Sequence, residues 1–146
     1  MQVLPYVDRP VPQGPRAYRT RLRSLGPLAA LLPAAVIGGA AVLALHGSSS
    51  VGRGATGFAL AVFAAPLLLA FGGPLTSGTA MFASAVGASA VLWFVIGVVA
   101  SRRATRSPVA TWRDFWREFA WPAVGVWIGV VAALGVADLV IGRALF

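Results

Sequence analysis

The chain has 146 residues, 58% of them hydrophobic, which suffices for one compact bundle without a separate soluble domain. It contains no Cys and a single His, His46, so disulfides, thiolate metal sites, iron–sulfur clusters, cysteine nucleophiles, bis-histidine haem and multi-histidine metal sites within one chain are excluded. A net charge of +8 arises from twelve arginines, with no lysine, against four acids; these arginines flank apolar segments instead of forming a stripe on a soluble face, so anionic lipid headgroups, not nucleic acid, are the expected counter-charge.

Residues 1–24 read as a Pro/Arg-rich tail. Pro5, Pro10, Pro12 and Pro15 argue against regular structure, and Arg16, Arg19, Arg21 and Arg23 lead to the membrane as contacts for lipid phosphates or for acidic side chains of a partner. Such a tail has no internal means of offsetting its ordering entropy, so a partner surface is expected to order it. Residues 25–146 form the membrane domain. Four apolar stretches, at 25–45, 55–71, 79–100 and 121–141, are each close to the ~20 residues that cross a hydrocarbon core. Within them lies one full charge, Asp138. The expected fold is an all-α membrane protein, a four-transmembrane-helix bundle with a short interfacial amphipathic helix between spans three and four.

The first stretch is too long for a secretory h-region and no clear small-residue cleavage site follows it, so it is read as a retained span. Gly26, Ala30, Ala34 and Gly38 recur every four residues and lay a flat stripe along one helix face. Pro33 predicts a kink. His46, at the end of this span, is read as a headgroup-level residue, and Gly52-Arg53-Gly54 as a turn lacking the strand and helix of a phosphate loop.

The second stretch is the shortest and contains Pro66, which predicts that it is tilted, broken or re-entrant. The third carries a weaker small-residue series, Ala80, Ser84 and Ala88, and ends on Arg102 and Arg103, a further basic pair for lipid or partner. After it, Trp112, Phe115, Trp116 and Phe119 recur at i, i+3, i+4 and i+7, with Arg113, Asp114, Arg117 and Glu118 on the other side. Thr111 and Asp114 fit a variant of the capping box. The pattern predicts a helix over 111–120 lying in the headgroup plane, with Trp112, Phe115, Trp116 and Trp121 as interfacial anchors.

The fourth stretch repeats the small-residue device with Gly125, Gly129, Ala133 and Ala137. Both stripes are expected to serve packing within the chain in preference to a dimer seam. Asp138, with Arg143 five residues on, is the candidate intramembrane polar site. An interfacial ion pair or a hydrogen bond to another helix is the plainer reading of it, and a proton or cation site the functional one.

With four true spans the arginines divide evenly: Arg9, Arg16, Arg19, Arg21, Arg23 and Arg143 on one side, and Arg53, Arg102, Arg103, Arg106, Arg113 and Arg117 on the other. Equal charge on the two sides gives the positive-inside rule nothing with which to set an orientation. Insertion in both orientations, a re-entrant second segment or an orientation imposed by a partner would each account for it.

No nucleophile, base and orienting group stand together in the pattern, so neither catalysis nor a cofactor nor a metal is expected. The exclusive use of arginine and the abundance of Ala, Gly, Val and Pro resemble the codon bias of a GC-rich bacterial genome. The expected role is a non-catalytic accessory or scaffolding subunit of a larger membrane complex, multi-pass in the bacterial cytoplasmic (inner) membrane, with anionic lipids and other membrane subunits as partners. The alternative is a small dimeric ion channel or transporter, of dual topology, that uses the intramembrane acid.

Overall fold

The computed structural model describes residues 14–46, 50–71, 79–107 and 109–144, with side chains as far as residue 140. These residues form helices α1 (Pro15–Ala29), α2 (Leu31–Leu45), α3 (Val51–Ala64), α4 (Leu67–Ala70), α5 (Thr79–Ala104) and α6 (Trp112–Ala144). Among the described residues three stretches are long and apolar enough to cross a membrane: Arg16–Leu45, which joins α1 to α2, Thr79–Ala104, and Trp112–Val140. The protein is a multi-pass helical membrane protein.

The helix starts ten residues before the expected span, so Arg16 to Arg23 belong to α1 and not to an irregular tail. Pro15 sits in its first turn, where a missing N–H costs nothing, and no other proline intervenes before Pro27. The contacts that order this turn come from the same chain. Leu22 is fully buried, Arg19 Nη2 donates to the Thr105 carbonyl (2.9 Å) and Arg23 Nε donates to Thr105 Oγ1 (3.1 Å). Residues 1–13, with Arg9 and three of the four tail prolines, lie outside the described residues.

Pro33 acts one turn ahead of itself. Its ring crowds the carbonyl four residues back, on Ala29, and Ala29 is where α1 ends; α2 resumes at Leu31. The stripe that follows is used inside the bundle. Gly26 leaves room only for Ser101 Oγ and the Phe115 ring, and a Cβ on Gly97 would lie 2.9 Å from Pro27 Cα and against Ala30 Cβ. Farther along, Gly38 faces Ala64 and Gly57 faces Leu45. Thus α1–α2 runs antiparallel to α5, and α3 runs back along α2.

The second apolar segment is broken. Ala65, the residue before Pro66, takes φ −128° and ψ 77°, outside the helical region that a following proline disfavours. The chain then reverses. Ala64 is level with Trp93, Leu67 with Ser89, and Leu68 clusters with Ala85, so the segment retraces α5 toward its N-terminus, the end from which α3 entered. α3 and α4 make a hairpin that enters the bundle and turns back toward the same end.

Residues 111–120 are not a separate interfacial helix; they are the start of α6, which continues through Pro122 to Ala144. Its cap is the expected one: Thr111 Oγ1 donates to Asp114 Oδ2 (2.7 Å), and the Asp114 N–H donates to Thr111 Oγ1 (3.3 Å). The aromatic face, however, turns inward. Phe115 and Phe119 are buried with Leu22, Trp93 and Ala123 in the main core. Extension of α1 back to Pro15 supplies the partner surface that the sequence pattern alone assigns to lipid. Trp116 and Trp121 stay exposed, Trp121 at 77%.

Candidate functional site

A broken helix frees backbone polar groups, and in a bilayer they must find partners. Here they do so with side chains from both neighbouring long helices. The Ala64 carbonyl accepts Trp93 Nε1–H at 2.9 Å, the Phe63 carbonyl accepts Trp127 Nε1–H at 3.3 Å, and the Leu67 N–H donates to Ser89 Oγ at 3.2 Å. Ser89 Oγ donates in turn to the Ala85 carbonyl at 2.8 Å. The rings of Trp93 and Trp127 lie 6.1 Å apart and Phe119 stands 6.0 Å from Trp93, so three aromatic side chains wall the break. The arrangement locks the hairpin to α5 and α6 and gives the carbonyls of Phe63 and Ala64 a donor each.

Neither Trp93 nor Trp127 stands out in the sequence as a site residue. A signal is available, since tryptophan favours the membrane interface. Trp93 and Trp127 fall near the middles of α5 and α6, where an indole N–H needs an internal acceptor. Pro66 announces that acceptors will be there.

A second cluster lies at one end of the bundle. Here α1, the C-terminus of α5 and the start of α6 meet: Arg19 and Arg23 bond the fully buried Thr105, and the Phe115 ring packs on Gly26. Arg16, Arg21, Arg23, Arg102 and Arg103 are exposed there, and Arg19 is half-buried. Asp114 and Glu118 sit at the same end, 3.9 and 4.0 Å from Arg117, in exposed pairs worth little to stability.

The other expected site residues are scattered. Asp138 is exposed on the outer part of α6, and the side chain of Arg143 lies outside the described residues. The two small-residue stripes part company. Gly26 and Ala30 are buried, with Ala34 and Gly38 half-buried, whereas Gly125, Gly129, Ala133 and Ala137 are exposed, with nothing within 4 Å of a Cβ placed at Gly125 or Gly129. Among the described residues the α6 stripe therefore faces away from the other helices. His46 is exposed, its Nδ1 2.9 Å from the Val42 carbonyl. Among the described residues no group of three His, Asp or Glu comes together as a metal site.

A crevice of about 530 Å³ opens between α2, the α3–α4 hairpin and α5. The described residues that line it are all of apolar types, and it ends at Trp93, Ala64 and Ala65, beside the locked break. Comparison with family models, with curated proteins and with solved structures found no match to this chain.

Proposed function

We propose that the protein is a non-catalytic accessory subunit of a larger membrane complex in the bacterial cytoplasmic membrane, and that α6 is the helix it offers to its neighbours. The observation that carries this reading is the outward stripe of Gly125, Gly129, Ala133 and Ala137. Small residues in a membrane helix allow a second backbone to approach closely, and among the described residues nothing takes that place at Gly125 or Gly129. The hairpin supports the reading from the other side, because its polar groups are spent on holding the bundle together.

The same reading includes a topology of three spans and one re-entrant hairpin. Counted by chain position, Arg9, Arg16, Arg19, Arg21, Arg23, Arg102, Arg103, Arg106, Arg113 and Arg117 then share one side, against Arg53 and Arg143 on the other. Ten against two puts the N-terminus in the cytoplasm and the C-terminus outside. It replaces the even division that four spans require.

A small channel or transporter is the second reading, favoured by the discontinuous segment, since broken helices often build transport sites. Gentle extraction of tagged protein followed by native mass measurement separates the two. Recovery with larger subunits supports the accessory role. A monomer or homodimer that carries ions after reconstitution, and falls silent in Asp138→Asn, overturns it.

A further inference from the structure

The crevice between α2, the hairpin and α5 has a shape that restricts what can occupy it. One wall is α2, with Leu31 near the inner end and Leu45 at the mouth; another is α5, from Phe82 at the mouth to Trp93 at the floor. At ~1.5 Å per residue the Phe82–Trp93 wall is ~16 Å deep. Half of a ~30 Å hydrocarbon core is ~15 Å. The floor is closed by Trp93 and by the turn at Ala64–Ala65, which that indole holds in place. About 530 Å³ lies within the range of small-molecule sites, but among the described lining residues the few convergent polar groups that orient a polar ligand are missing. Among the described lining side chains the polar group at the floor, Trp93 Nε1–H, is bonded to the Ala64 carbonyl.

We propose that this crevice is a binding site for one acyl chain of a membrane phospholipid, entering from the leaflet at the N-terminal end of α5. The chemistry and the length agree. An acyl chain is apolar throughout, starts at the interface and ends at the bilayer midplane, as the crevice does. A spanning helix of a partner would use the crevice for only half its length before meeting the floor. Small residues make the slot: Ala34, Gly38 and Ala41 on α2 and Ala61 on α3 leave the space that larger side chains would fill. The inference rests on the three long helices spanning a membrane and is independent of the accessory role.

The test uses the full chain in vesicles doped with a phosphatidylcholine whose acyl chain carries a photoreactive diazirine near its terminal methyl group. After illumination, peptide mapping should place labelling on Ala64–Leu68 and around Trp93, at several times the density found on the exposed outer part of α6. Two filling variants, Ala35→Phe on α2 and Ala90→Phe on α5, alter residues that line the crevice yet are exposed to it. Each should cut labelling of the floor about tenfold while labelling of α6 persists, which reports that the protein is still inserted and folded. A variant that loses α6 labelling is replaced by the other, since they lie on different helices. Even labelling along all exposed helices, floor labelling unchanged in both filled variants, or cross-linking of the floor to another polypeptide in native membranes would overturn the proposal.

Discussion

Replacement of Trp93 by 3-benzothienylalanine isolates the hydrogen bond that closes the break. The analogue keeps the bicyclic ring that packs on Phe119 and Trp127 and lacks only the N–H that meets the Ala64 carbonyl at 2.9 Å. Interhelical hydrogen bonds in membrane proteins contribute ~0.6 kcal/mol on average and up to ~1.7. A buried carbonyl left without its donor costs ~1–3 kcal/mol, and the helical donor for Ala64, the Leu68 N–H, is turned to the Ala65 carbonyl at 3.0 Å, so no helical bond takes over. The expected destabilisation is therefore about 2 kcal/mol, a change of roughly thirtyfold in the folding equilibrium. Titration of dodecylmaltoside micelles with SDS, followed by far-ultraviolet circular dichroism, measures it. The longer Trp127 bond, 3.3 Å to Phe63, should give the smaller loss with the same analogue, about 0.5–1 kcal/mol. If the Trp93 analogue unfolds with the wild type to within ~0.5 kcal/mol, the break is satisfied in some other way and the account of the hairpin lock is wrong.

Single cysteines are clean reporters in a chain that has none. Placed at Ser50, Thr79 and Ser107, they should label so that Ser50 and Thr79 share a side and Ser107 lies opposite; four spans would pair Ser50 with Ser107 instead. Gly26→Val, which would collide with Ser101 and Phe115, should destabilise the bundle by about 1–3 kcal/mol in the same SDS titration. Gly129→Val, with open space at its Cβ, should leave that titration unchanged but reduce recovery of larger subunits with the tagged protein. Thr105→Val removes the acceptor of Arg23 and keeps the carbonyl that holds Arg19, so a loss of about 1 kcal/mol is expected, read as earlier unfolding in SDS.

The membrane character, the helical class, the cap at Thr111 and the fault at Pro66 are legible in the sequence, because each depends on a local property: apolar length, a side chain three residues from a backbone N–H, or a ring that lacks one. The stripes are legible as stripes. Periodicity places residues on a common face and says nothing about what that face meets, so Gly26 and Gly129 read alike although one is packed on Ser101 and the other is open. For the same reason the amphipathic run at 112–119 points to lipid when read alone, since the surface that buries Phe115 belongs to Leu22 and Gly26, about ninety positions earlier. The fate of the second segment is likewise tertiary. Pro66 dictates a break, but whether the chain goes on across the membrane or turns back depends on where the freed carbonyls find donors, and those are indoles on two other helices.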